Sequence, residues 1–180
     1  MSITKIQSES LNLSDTYDFT GTVTGAGGNN VPAFYAFKNA KQNVNNDADT
    51  LVSFQTEVID TNNCFDNSST YRFTPTVAGK YFIFAHLGWY TAGANNGRDV
   101  ALRFNKSGTF LGYIGGWTNY TSYAFNGQTL YASTIQSFNG TTDYISCYGR
   151  LVANTNLQIE GGYPDANAQA TVFGGYKIIE

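Results

Sequence analysis

His86 is the only histidine in the chain, so any acid–base or nucleophile-activating chemistry built on imidazole must pass through it. It stands inside Tyr81-Phe82-Ile83-Phe84-Ala85-His86-Leu87-Gly88-Trp89-Tyr90, a run with no carboxylate at all. A general base needs a cleft and an orienting partner. The setting of His86 is instead that of a hydrogen-bonded core or interface residue. A multi-histidine metal site is ruled out by the count. No Gly-x-Ser-x-Gly elbow, phosphate-binding loop or Cys-x-x-Cys pair occurs, and no pair of carboxylates stands out for glycoside hydrolysis. The expectation is a protein that is not an enzyme.

Three other groups of residues have chemical potential. Asn45-x-Asp47-x-Asp49 places oxygen ligands at alternate positions, as a calcium loop does. It lacks the following Gly and the distant bidentate Glu of an EF-hand, so a solvated loop is the default and calcium through Asp47 and Asp49 the alternative. No other cofactor is expected. Trp117, Tyr120 and Tyr123 cluster in a glycine-rich stretch; aromatic faces stack on sugar rings and anchor protein interfaces, which makes these three the leading ligand-contact candidates. Asn95 and Asn96, in the Ala92–Arg98 loop, are a second candidate. Cys64 and Cys147 are too few for a disulfide framework and have no metal-ligand spacing. Two buried free thiols are expected over one bridge, since nothing marks an oxidising compartment.

Composition narrows the partners. A formal charge of −3 and 13% charged residues give no basic face for nucleic acid. No basic stretch followed by an apolar run opens the sequence, so neither a secretory signal nor a membrane span is expected.

The elements that must carry these residues are strands. Val100, Leu102 and Phe104 alternate with Ala101, Arg103 and Asn105; Ile145, Cys147, Gly149 and Leu151 alternate with Tyr144, Ser146, Tyr148 and Arg150. Val52, Phe54, Thr56 and Val58 likewise oppose Ser53, Gln55 and Glu57. Alternation of this kind marks half-buried strands of a sandwich, and turn signals such as Asn126-Gly127 and Asn139-Gly140 punctuate them. Two long loops are expected, over 38–50 and 112–127. The 81–90 run is different, because it is apolar on both faces. Tyr81, Ile83, Ala85, Leu87 and Trp89 can fill a core; Phe82, Phe84, His86 and Tyr90 then need cover from outside. An antiparallel sandwich has no third layer of its own, so a partner subunit is the economical source of that cover.

Residues 1–30 end in the flexible Thr24-Gly25-Ala26-Gly27-Gly28-Asn29-Asn30, which reads as a linker. The segment before it is too short for its own core and is expected to attach to other chains. The rest, 31–180, forms one domain.

Five pieces of that domain resemble, in order, the C1q/tumour-necrosis-factor-like family. They are Val31-Pro32-Ala33-Phe34-Tyr35-Ala36-Phe37, Phe65-Asp66 through Tyr71-Arg72-Phe73-Thr74-Pro75, Gly79-Lys80-Tyr81 with His86 following, Asn139-Gly140-Thr141-Thr142-Asp143-Tyr144-Ile145, and Phe173-Gly174-Gly175-Tyr176-Lys177-Ile178. Ile83 and Ala85 depart from the family's aromatics, and no collagen-like stalk precedes the domain. The resemblance implies a ten-stranded all-β jelly roll assembling as a homotrimer, with loops free for ligands. The leader, through Phe19-Thr20-Gly21-Thr22-Val23-Thr24-Gly25, is similar to those of C1q-like proteins of bacteriophages. What this implies is a virion protein assembled in the host cytoplasm: a fibre tip, spike or capsid decoration, held to other virion proteins through 1–30 and contacting a host-surface glycan or receptor. The alternatives are an extracellular C1q/tumour-necrosis-factor-like ligand or lectin, and a polysaccharide depolymerase.

Overall fold

The computed structural model describes residues 30–91, 96–112, 115–119, 122, 125–154, 157–162 and 169–178, with 115–119 described for their backbone only. Almost all of the expected leader, and with it the attachment expected of residues 1–30, lies outside these residues.

The described residues form two antiparallel sheets and no helix. The first contains β1 (Ala33–Phe37), β2 (Gln42–Asn43), β4 (Thr56–Asp60), β6 (Gly79–Thr91), β10 (Gly127–Phe138), β12 (Leu157–Ile159) and β13 (Val172–Lys177). The second contains β3 (Thr50–Leu51), β5 (Arg72–Phe73), β7 (Gly97–Lys106), β8 (Thr109–Phe110), β9 (Gly115–Asn119) and β11 (Ile145–Ala153). The chain crosses repeatedly from one sheet to the other, which wraps it into a jelly roll.

In the first sheet the main order is β10-β6-β13-β1-β4, with β12 and β2 continuing the far end of β6. In the second, β7 and β11 lie at the centre. Short strands share ladder positions end to end: β3 with β5 beside β11, and β8 with β9 beside β7. That sharing contributes to the thirteen segments among the described residues, where ten strands were expected.

The alternation read from sequence is what fills the core. Tyr81, Ile83, Ala85, Leu87 and Trp89 are all buried, as are Val100, Leu102 and Phe104 from β7 and Ile145, Cys147 and Leu151 from β11. Phe34 stacks on Phe65 at 4.9 Å and on Phe73 at 4.3 Å, with Phe173 edge-on at 4.8 Å. Each fully buried ring contributes roughly 2–3 kcal/mol over an exposed one. Gly149 is required by this packing: a Cβ there would lie 2.5 Å from the Trp89 ring. Cys64 and Cys147 are both free and buried, and burial pushes the Cys147 thiol well above its ordinary range.

Two sequence expectations need correction. Val52 and Phe54 are buried, but Val58 is 55% exposed. The run 52–58 is no single strand, because the chain leaves the second sheet after β3 and enters the first at β4, where the pairing with β1 is bulged. The expected loop over 38–50 is interrupted by β2, and the stretch 112–127 is also no continuous loop. It contains β9, whose Trp117 takes the register position opposite Ala101.

Candidate functional site

The candidate site is the outer face of the first sheet, and register assembles it. Directly opposed residues in antiparallel strands share a face. Phe84 is flanked by Gly174 of β13 and Ser133 of β10, with Tyr35 of β1 and Ile59 of β4 beyond. One row along, Phe82 lies between Tyr176 and Ile135; in the other direction His86 lies between Val172 and Tyr131. Aromatic and aliphatic side chains therefore cross the whole sheet without a charged residue in these three rows.

The rings touch one another. Phe82 lies 6.0 Å from Phe84 and 5.6 Å from Tyr176, and Phe84 lies 6.2 Å from Tyr35. Phe84 rests flat against backbone: a Cβ on Gly174 would come 2.4 Å from its ring. Tyr131 is 71% exposed, Ile135 56% and Ile59 49%. Apolar side chains exposed side by side on a folded domain are what protein–protein contacts cover.

Phe82, Phe84, His86 and Tyr90, the four residues set aside as needing cover, all lie half-buried on this face. The sequence reading missed Tyr35, Ile59, Tyr131, Ile135 and Tyr176, which complete it. His86 Nε2 is 2.8 Å from the Gln169 carbonyl. A carbonyl only accepts, so Nε2 carries the proton. The Gln169 side chain accepts from the Tyr35 hydroxyl at 2.5 Å, and the Tyr131 ring lies 5.4 Å from the imidazole. Burial raises the Tyr35 phenol above its ordinary value. Tyr90, at the far end, has the Lys41 ammonium 4.8 Å over its ring.

The outer face of the second sheet has the opposite character. Arg103 pairs with Asp49 at 2.5 Å and lies 4.0 Å over the Phe110 ring; Phe110 in turn meets Tyr148 edge-on at 5.2 Å. Arg150 pairs with Asp47. The two calcium candidates, Asp47 and Asp49, thus each hold an arginine of the second sheet, Arg150 on β11 and Arg103 on β7, and a cation there would have to displace both guanidinium groups. No cluster of three or more metal-ligating side chains occurs among the described residues.

Of the ligand candidates, Tyr120, Tyr123 and Asn95 lie outside the described residues, and Trp117 is placed by its backbone alone. Asn96 is half-buried, and its carbonyl accepts from the Asn154 amide at 3.1 Å.

Sequence also gave no signal for Lys38, which is wholly buried. Its Nζ donates to Ser53 Oγ at 2.7 Å, and that hydroxyl is held by Gln42 and Gln55, both at 3.1 Å. With no carboxylate in this set, burial lowers its pKa from 10.5 to about 8.

No family model matches the chain, and no curated protein is similar to it in sequence. Solved structures of similar fold include three of murine APRIL. Murine APRIL at pH 5.0 is 11% identical with a TM-score of 0.49, murine APRIL at pH 8.0 is 10% identical with 0.48, and murine APRIL at pH 8.5 is 13% identical with 0.47. Each comparison covers 81% of this chain and 98% of the other. These are likenesses of fold. The sandwich itself rests on its own strand order.

No helix among the described residues is long and apolar enough to cross a membrane.

Proposed function

We propose that the chain is a non-enzymatic, homotrimeric display module of a virus particle. The sandwich faces outward for host-surface adhesion or particle stabilisation, and residues 1–30 attach it to other virion proteins. One observation supports this above the others: the uncharged aromatic face of the first sheet, whose exposed Tyr131 and Ile135 continue the half-buried Phe82 and Phe84. A second copy of the same chain is the simplest cover for such a face. The three rows through Phe82, Phe84 and His86 carry no carboxylate, lysine or arginine, so two copies of a chain of net charge −3 can meet there without like-charge repulsion. Assembly in threes follows the resemblance carried by residues 31–180, and attachment to a particle follows the resemblance of the leader.

The reading as a non-enzyme is supported by the surroundings of His86. Its proton is committed to a backbone carbonyl, and its ring neighbour is a tyrosine rather than a nucleophile. The extracellular-ligand reading keeps the same trimer and differs only in what the trimer is attached to.

The two separate on intact particles. An antibody against the sandwich should decorate purified virions at regular sites on the shell or tail. Particles that bind none, beside soluble antigen in the medium, would favour the extracellular ligand instead. Release of reducing ends from capsular polysaccharide by the purified chain would favour the depolymerase.

A further inference from the structure

A groove of about 800 Å³ opens between β4 and the loop that leads into and out of β5. Its wall is a closed and rigid loop. The Thr74 amide donates to the Cys64 carbonyl at 2.8 Å, Phe65 bridges Phe73, and the Asp66 amide donates to the Arg72 carbonyl at 3.0 Å. At the tip, the Asp66 carboxylate accepts from the amides and hydroxyls of Ser68, Ser69 and Thr70 at 2.6–3.1 Å. Those bonds hold it well below the ordinary carboxylate range. The loop's base is fixed too, because Asp60 accepts from the Cys64 and Phe65 amides at 2.9 and 3.1 Å, and Phe65 stacks on Phe34 in the core. Tyr71 sits at φ 46°, a conformation that is costly for a bulky side chain and that concentrates where a loop is held for a purpose.

Two of the three acids here are therefore consumed by the loop. The third, Glu57, faces into the groove and has no hydrogen bond or ion pair among the described residues; partial burial and then Asp60 and Asp66 raise it above its ordinary value. Arg72 lines the same groove. Its guanidinium lies 4.7 Å over the Tyr144 ring, and it pairs with no carboxylate among the described residues. The amide side chains of Asn63 and Asn67 also line it. An acceptor, a set of donors and two amides thus converge, unspent, on a concave space within the size range of small-ligand pockets. That lining is polar, so it suits a ligand rich in hydroxyls and not a lipophilic one. An acidic sugar would meet the field of Glu57, Asp60 and Asp66.

We propose that this groove binds a neutral glycan, with Glu57 accepting from and Arg72 donating to sugar hydroxyls. The inference gives the display module a ligand class and rests on that reading. Strand β4 contributes Glu57 to the groove and Ile59 to the aromatic face, and the two claims have separate readouts, sugar retention and assembly mass.

The test is retention of the full chain on immobilised neutral-hexose, amino-hexose and hexuronate oligosaccharides. Neutral oligosaccharides should be retained best. Glu57→Ala and Arg72→Met should each weaken that retention about tenfold or more, with assembly mass and melting temperature unchanged. Should Arg72→Met fail to fold, Asn67→Ala at the loop tip reads the same groove. No retention on any sugar, a preference for hexuronate, or retention indifferent to these substitutions would overturn the inference. A trimer that retains nothing sinks the glycan site alone; a monomer that retains neutral sugars sinks only the threefold assembly.

Discussion

The two outer faces of the sandwich are made by the same strand geometry and finished in opposite ways. On the second sheet the charged and aromatic groups that project from β7, β8 and β11 find partners within the chain. Arg103 and Arg150 hold Asp49 and Asp47, and Arg103, Phe110 and Tyr148 cover one another. On the first sheet Phe82, Phe84, Tyr176 and Tyr35 touch one another, while Tyr131, Ile135 and Ile59 remain open. Polar finish makes a face that can stay in water; aromatic finish makes one that is completed by another protein. The proposed assembly uses the first sheet because of this difference.

The largest effect that sharpens this contrast should come from charge. Phe84→Asp places a carboxylate in the middle of the aromatic face, and burying it unpaired under a sister subunit costs about 3–5 kcal/mol. Sedimentation should show single chains with unchanged circular dichroism. Tyr148→Asp on the second sheet should leave the assembly intact. Equal behaviour of the two variants would erase the contrast.

The next effect reads the interior and is independent of either face. Lys38 has a folded pKa of about 8 against 10.5 when exposed. Between those values unfolding lets Lys38 take up a proton, so its own contribution to stability rises as pH increases from about 8 to 10.5 and is at its lower plateau below 8. The buried Cys147 thiol and the Tyr81 phenol, both raised, act in the opposite direction in the same window, so the Lys38 effect is read as a difference between wild type and Lys38→Met. In denaturant titrations that difference should change by about 2–3 kcal/mol in favour of wild type between pH 7.5 and 10.5. A difference that stays constant over that range would show that Lys38 is solvated in the folded chain.

Gly174→Ala comes third. The added Cβ would meet the Phe84 ring at 2.4 Å and tilt it off the sheet, at about 1–3 kcal/mol. Because Phe84 faces outward, this should weaken assembly more than it lowers the melting temperature of the dissociated chain. Gly149→Ala, pressed against Trp89 from inside, should do the reverse. The smallest effect is expected at Asp49→Asn, where loss of the Arg103 ion pair should cost under about 1 kcal/mol by thermal melting and change no assembly property.

Much of this was legible in the sequence, for a reason that also sets its limit. Alternation within one strand is local, so the inward and outward sets of β6 and β11 could be read directly, and the two-sided apolarity of 81–90 already marked Phe82, Phe84, His86 and Tyr90 as an outward row. Register is not local. Tyr131 and Ile135 join Phe82, Phe84 and His86 only because β10 pairs along β6, and Tyr35 joins through β13. Long-range partners also reassign charges: Asp47 and Asp49 resemble a cation loop in isolation, and the arginines that hold them lie more than 50 residues away in sequence. Lys38 follows Phe37 at the end of β1, where the chain turns inward between polar neighbours. No composition rule expects a lysine to be buried there without a carboxylate. The groove walled by residues 64–74 was seen only as a family-like segment. Its concavity comes from hydrogen bonds to Asp66 that a linear reading does not close.

The central claim is that the aromatic face of the first sheet is covered by sister subunits around a threefold axis. Light scattering coupled to size exclusion, at micromolar concentration and neutral pH, addresses it most directly. The expected result is a single species of three times 19.6 kDa. A species of 19.6 kDa that stays monodisperse as concentration rises would contradict it.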